Sequence, residues 1–171
     1  SGGGSTTIAP TPATPITLAD GQITVSGSLL NDKGQITANG ETNLSVKNDL
    51  RNQGTVTVGS LQSTGNQLDN SNGKIEATRL QSNTHLFANH SGEINIRERA
   101  HIQSQILDNI QGKLIAGDMI NIDTGTGNNQ DGKIESTTAI NINSQESWHN
   151  HAGTIAANQV IILNSNGLNN Q

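Results

Sequence analysis

A glycine followed two residues later by an aliphatic side chain recurs along this chain at an almost constant interval. Consecutive glycines of this kind are separated by about 20 residues, and a fixed period of this length is typical of proteins built from stacked, similar coils. The seven pairs are Gly34/Ile36, Gly54/Val56, Gly73/Ile75, Gly92/Ile94, Gly112/Leu114, Gly132/Ile134 and Gly153/Ile155.

Apolar residues occupy three regions of each repeat. In the first, they alternate with polar residues after the glycine, as at Ile94 and Ile96, which is the spacing of one face of a strand. The second follows seven to twelve residues after the glycine, as at Ile120 and Ile122. The third is a large side chain shortly before the next glycine: Leu29, Leu50, Leu68, Phe87, Leu107, Trp148 and Leu168. Gly127 takes that place in the sixth repeat, where we therefore expect the weakest packing.

This pattern predicts an all-β solenoid, in which each repeat forms a strand, a corner, a second strand, a second corner and a short third side. The β-branched residues and the Gly and Asn corners argue against helices, and no helical period appears. A weaker coil is expected before the seven. Ile16 and Leu18 lie one repeat length before Ile36 and Ala38, and Pro15 would stand at the strand start, where proline is tolerated.

Residues 14–171 are expected to form the repeat domain, with seven to eight coils of about 20 residues each. Residues 1–13 are expected to be a linker or extended segment, because they begin with Ser-Gly-Gly-Gly-Ser and contain two prolines. A new repeat begins at Leu168, the chain stops at Gln171, and no polar cap is evident. We therefore expect the domain to be an internal fragment of a longer array.

An asparagine stands three residues before most of the repeated glycines. In parallel strands stacked in register, asparagine side chains hydrogen-bond to one another along the stack. We therefore expect an inward-facing asparagine ladder, and we expect the glycines to supply the positive φ of a corner without a Cβ clash. The structural residues are Asn31, Asn52, Asn70, Asn89, Asn109, Asn129 and Asn150, with Gly34, Gly54, Gly73, Gly92, Gly112, Gly132 and Gly153.

Composition argues against several classes of function. Apolar residues make up 30% of the chain and charged residues 13%, which fits a solenoid with a thin core. The net charge is −5, Lys and Arg form no cluster, and Phe87 and Trp148 are the only aromatic residues. We therefore expect no nucleic-acid binding and, by a weaker argument, no binding of anionic glycans. The chain has no cysteine, no recognisable signal peptide and no apolar run that predicts membrane insertion.

No constellation of side chains predicts catalysis or a bound cofactor. Glu76, Glu93 and Glu135 are expected to be solvated carboxylates, because no inserted loop would build a cleft around them. His149 and His151 are two residues apart and could share a face, but a structural zinc site needs four ligands and no third is evident nearby. We therefore expect no enzyme activity, no metal site and no cofactor.

The segment Leu68–Ile75 reads Leu-Asp-Asn-x-x-Gly-x-Ile, and Leu107–Leu114 is close to it. This motif resembles the repeats of the filamentous haemagglutinin family, and the resemblance covers residues 29–171. It implies a right-handed parallel β-helix from a two-partner secretion exoprotein, which is exported through an outer-membrane transporter. Members of the family serve as adhesins, as haemolysins or as stalks of contact-dependent growth-inhibition toxins.

Two functions are weighed on this basis. The first is a monomeric stalk segment of a large secreted or surface-exposed adhesin of a Gram-negative bacterium, which projects a binding or toxin region and serves cell adhesion and virulence. In the second, the segment itself binds a host or bacterial cell-surface receptor. A carbohydrate-active enzyme is a third hypothesis, but the sequence shows no cluster of carboxylates that could catalyse glycan cleavage. The candidate recognition loop is Gly-rich and consists of Thr124, Gly125, Thr126, Gly127, Asn128 and Asn129.

Overall fold

A computed structural model describes residues 6–8, 16–18, 21–38 and 41–171. These residues form sixteen strands and contain no helix. The strands are β1 (Thr6–Ile8), β2 (Ile16–Leu18), β3 (Gly21–Val25), β4 (Ser28–Asn31), β5 (Gln35–Ala38), β6 (Thr42–Val46), β7 (Asp49–Asn52), β8 (Thr55–Asp69), β9 (Lys74–Ala88), β10 (Glu93–Asp108), β11 (Lys113–Ala116), β12 (Met119–Asn128), β13 (Lys133–Ser136), β14 (Ala139–His149), β15 (Thr154–Ala157) and β16 (Val160–Asn169).

Each strand pairs in parallel with the strand at the same place in the neighbouring coils. On the first side, β2 pairs with β5, β5 with β8, β8 with β9 and β9 with β10. The series continues from β10 through β11, β13 and β15. On the second and third sides, β10 pairs with β12, β12 with β14, and β14 with β16. The chain is therefore a parallel β-solenoid of about seven turns, and the predicted fold class is confirmed.

The weaker coil predicted before the seven repeats is confirmed on two sides, because β2 pairs with β5 and β3 pairs with β6. Ile16 lies opposite Ile36, and Leu18 lies opposite Ala38, as the repeat period requires. Pro15 lies outside the described residues. Upstream of this coil, β1 pairs with β4 and extends the third side.

The core is a set of apolar stacks that run along the solenoid, one from each side. Ile94, Leu114 and Ile134 lie opposite one another in successive coils of the first side, and all three are fully buried. Ala100 and Ile120 continue an equivalent stack on the second side. Because every inward residue packs on its equivalents one coil away, a few apolar side chains per repeat are enough to form a continuous core.

The corner before each first-side strand differs from the sequence prediction. The repeated glycines do not have positive φ; the residue before the glycine does, in six of the seven corners. These residues are Lys33, Asn72, Ser91, Gln111, Asp131 and Ala152, with φ between 53° and 63°. The corner at Gly54 lacks this residue, because its repeat is one residue shorter between Asn52 and Gly54. The prediction that glycine supplies the positive φ is therefore wrong, and the glycine must be required for another reason.

The sixth repeat is not left with a vacant core position. Gly127 lies opposite Leu107 on one side and Trp148 on the other. A Cβ added to Gly127 would overlap carbons Cζ3 and Cε3 of the Trp148 ring, and Trp148 is fully buried. The indole of the seventh repeat therefore occupies the space that a large side chain would fill in the sixth, and the expectation of weak packing is wrong here.

The substitution Gly127→Leu should lower the melting temperature, because the new side chain and the indole would compete for the same space. Overpacking of this kind costs about 1–3 kcal/mol. Adding Trp148→Leu should recover much of the loss, although Trp148→Leu alone should be destabilising because it leaves a void beside Gly127. Thermal unfolding of all four proteins, followed by circular dichroism, gives the coupling between the two sites. Additive losses in the double variant would contradict the predicted complementarity.

Candidate functional site

The asparagines predicted to form a ladder do form one continuous column of side-chain hydrogen bonds inside the solenoid. In each step, Nδ2 of one asparagine donates to Oδ1 of the asparagine one coil later. The steps are Asn31 to Asn52 (2.8 Å), Asn52 to Asn70 (2.8 Å), Asn70 to Asn89 (2.9 Å), Asn89 to Asn109 (2.8 Å), Asn109 to Asn129 (2.7 Å), Asn129 to Asn150 (2.8 Å) and Asn150 to Asn170 (2.9 Å). Asn52 keeps its place in the column although its repeat is shorter.

Each ladder amide from Asn31 to Asn150 also bonds to the backbone at a corner. Nδ2 of Asn109, for example, donates to the backbone oxygens of Gly112 (3.4 Å) and of Lys133, one coil further on (3.1 Å). The backbone N–H of Gly112 in turn donates to the backbone oxygen of Asn109 at 3.0 Å. Buried polar groups are costly unless they are paired, so one side chain per coil satisfies both its own amide and the carbonyls of the corner.

The repeated glycine is required because the asparagine column and the backbone of the preceding coil lie too close to it to admit a Cβ. A Cβ added to Gly73 would overlap the backbone oxygen of Asn52 and lie 2.7 Å from Oδ1 of Asn70 and 2.8 Å from Nδ2 of Asn52. Equivalent clashes would arise at Gly54, Gly92, Gly112, Gly132 and Gly153. Any side chain here would push the coils apart and break the ladder, which explains the glycine period without invoking a positive φ.

The outward carboxylates are engaged with a lysine. Nζ of Lys74 lies 3.0 Å from Oε1 of Glu76 and 3.8 Å from Oε2 of Glu93. The hydrogen bond and negative charge of Glu76, and then the charge of Glu93, raise the pKa of Lys74 above its ordinary value. Glu135 lies three coils from Glu76, on a strand whose neighbours at that level are Ile115 and Ala156. Glu135 is therefore not part of the ion-paired group that Lys74 forms with Glu76 and Glu93.

A comparison with protein families identifies the repeat. The family model described as the haemagglutinin repeat matches residues 13–54 and 56–171. The chain belongs to the haemagglutinin repeat family. The match confirms the resemblance carried by the Leu-x-Asn-x-x-Gly-x-Ile motif and extends it upstream of residue 29.

Haemagglutinin repeat proteins are secreted or cell-surface adhesins, and the family is associated with two-partner secretion, which uses an outer-membrane transporter. No curated protein and no solved structure shows significant similarity to this chain. In the described part of the chain, no helix is long and apolar enough to cross a membrane. The same residues contain no group of three or more His, Cys, Asp or Glu that could hold a metal ion; His149 and His151 are both exposed.

The Gly-rich segment of this haemagglutinin repeat chain, residues 124–129, lies almost entirely within a strand. Its first five residues lie in β12, which keeps its register with β10 through Thr126 and Gly127. Thr124, Gly127 and Asn129 are buried, and Oγ1 of Thr124 donates to the backbone oxygen of Thr126 at 2.9 Å. The segment is therefore strand and not loop, but its pairing with β14 shifts register between Thr124 and Gly127. Its role in recognition stays a prediction.

A second feature, a cluster of arginines on the second side, is not evident from the linear sequence. Arg79 and Arg99 are one repeat apart along the chain but lie opposite each other on adjacent coils. They line an open groove of about 540 Å³. Basic residues that are far apart along the chain are therefore neighbours in the folded solenoid. Aligning the outward residues of successive repeats would have predicted this pair of arginines, because Arg79 and Arg99 are one repeat length apart.

The substitution Asn109→Ala should destabilise the haemagglutinin repeats, because it leaves the side chains of Asn89 and Asn129 and the backbone oxygen of Lys133 without their partner. An unsatisfied buried group of this kind costs about 1–3 kcal/mol. Urea and thermal unfolding measured by circular dichroism give the loss.

The matched control for this variant is Asn143→Ala. Asn143 also bridges two coils through its amide, accepting from Asn164 (3.0 Å) and donating to Asp123 (3.3 Å), but both contacts are exposed. Its replacement should change the stability by less than about 0.5 kcal/mol. Equal losses in the two variants would show that burial of the ladder is not the source of its stabilising effect.

Proposed function

We propose that this chain is a structural stalk segment of a large secreted adhesin-type exoprotein at the surface of a Gram-negative bacterium. The observation that carries the proposal is the unbroken asparagine ladder from Asn31 to Asn170, which runs through every coil between them. With a coil spacing of about 4.8 Å, seven coils extend roughly 34 Å along the axis. Its role is to supply reach to a binding or toxin region elsewhere in the parent protein.

The repeat domain in this proposal spans residues 14–171, follows a linker at residues 1–13 and is monomeric. The parent protein is exported through an outer-membrane transporter of two-partner secretion, which is consistent with the family. A solenoid suits the role because each coil contacts only its neighbours. Length can then change by whole coils while the core, the ladder and the glycine corners stay the same.

Duplicating residues 93–132, which comprise two complete coils, tests this proposal. The added coils should join the ladder and lengthen the rod by about 10 Å without lowering the melting temperature. Small-angle X-ray scattering gives the maximum dimension, and circular dichroism gives the strand content.

The control is an insertion of the same two-coil segment in scrambled order, which should be cleaved by protease and should add no ordered length. If the true duplication behaved like the scrambled insertion, the coils would not be interchangeable, and the proposal of a modular stalk would fail.

The groove beside Arg79 and Arg99 favours a second candidate function, in which the segment itself recognises a cell surface. The half-buried residues Thr126 and Asn128, from the candidate recognition segment, belong to a different part of the surface. In this case the labelled chain would bind epithelial cells or Gram-negative bacteria saturably, and a coil-scrambled chain would not. Changing Thr126 and Asn128 together, or Arg99 alone, would then show which surface is responsible.

A further inference from the structure

Three of the four arginines of the chain lie within two adjacent coils. Arg79 faces Arg99 in register, and the pairing of β9 with β10 is interrupted by a register shift between Ile96 and Arg99. Arg97, Glu98 and Arg99 are consecutive and all exposed. Bulges of this kind re-aim side chains and are over-represented next to functional sites. The extra residue therefore brings Arg97, Glu98 and Arg99 together at this corner, whereas the equivalent corner one coil later holds Gly117 and Asp118.

Only one of these arginines is neutralised. Nε of Arg79 lies 3.2 Å from Oε1 of Glu98, and its Nη1 donates to Oγ of Ser60 at 3.3 Å. Within the described part of the chain, Arg97 and Arg99 form no ion pair. Arg99 therefore presents an unpaired guanidinium beside the groove, in a chain whose overall charge is negative.

The groove itself is lined by side chains that both donate and accept hydrogen bonds. They lie in register on successive coils of the second side, about 4.8 Å apart, so they form a row parallel to the solenoid axis. This row is Gln62, Gln81, His101 and Asn121. Amide and imidazole groups pair with hydroxyl groups in either direction. A ligand with several hydroxyls and one anionic group would match the row and the neighbouring arginine together.

We propose that this groove binds a short glycan that bears a carboxylate, with the guanidinium of Arg99 paired to the carboxylate and the amide row on the sugar hydroxyls. A guanidinium forms two parallel hydrogen bonds with a carboxylate, which fixes the orientation as well as the charge. The net charge of −5 would repel a long polyanion, so a singly charged sugar acid fits this surface better than a densely sulfated chain. The whole-chain charge argument against anionic glycans does not apply to this local cluster.

Isothermal titration of the full chain with two pairs of probes tests the proposal. Sialyllactose and an aldobiouronic acid (a uronic acid linked to one neutral sugar) each carry one carboxylate, and their methyl esters are the neutral counterparts. We expect binding of at least one acidic probe and at least about tenfold weaker binding of its neutral counterpart, as for the loss of a charged hydrogen bond. Which acid binds distinguishes a sialic acid from a uronic acid.

Arg99→Gln should weaken this binding by about tenfold, whereas Lys133→Gln, which removes the same charge from the first side, should leave it unchanged. Arg99→Lys should restore only part of the affinity, because an ammonium does not pair in the planar, two-bond geometry. Circular dichroism checks that each exposed substitution leaves the fold intact.

Binding of neither acid, equal binding of acid and ester, or equal losses in Arg99→Gln and Lys133→Gln would each overturn the proposal. So would a preference for a heparin-derived oligosaccharide over both sugar acids, which would indicate general attraction of polyanions. The inference goes beyond the stalk role, and its failure would leave the result of the coil duplication unaffected.

Discussion

The whole structure depends on how closely the backbones of adjacent coils approach one another at a single corner. There, a buried amide bridges each coil to the next and also binds the corner carbonyls, and this geometry leaves no room for a Cβ on the facing glycine. The asparagine and the glycine of each repeat therefore depend on each other. The amide prevents the buried polar backbone from being left unpaired, and the glycine permits the distance at which the amide reaches.

The sequence was sufficient for the fold because the period fixes the register, and the register fixes which residues share a column. It was less informative wherever two coils compensate for each other. Gly127 suggests a defect when it is considered within its own repeat, and only its pairing with Trp148 shows that the space is filled. Likewise, the positive φ falls on unlike residues such as Ala152 and Lys33, so no residue type marks it, whereas the glycine that does mark the corner serves the packing.

The inside and the outside of this haemagglutinin repeat chain are under different constraints. Inward positions must match the coils on both sides, so most of them repeat in kind from one coil to the next, and Gly127 and Trp148 depart from the pattern together. Outward positions meet only solvent and their column neighbours, so they vary: the position held by Arg79 and Arg99 is a serine at Ser60 and a methionine at Met119. A solenoid can thus carry a local binding surface on one or two coils while the remaining coils act as spacer.

The ladder also has a direction. Every rung donates from the earlier coil to the later one, so all the side-chain amide dipoles point the same way along the axis. The first rung, Asn31, presents an Oδ1 with no hydrogen-bond partner among the described residues, whereas Oδ1 of Asn170 accepts from Asn150. Aligned hydrogen bonds polarise one another, which strengthens the row as it lengthens. The two faces of any coil are thus chemically unlike, and two such columns can be joined through their amides only head to tail.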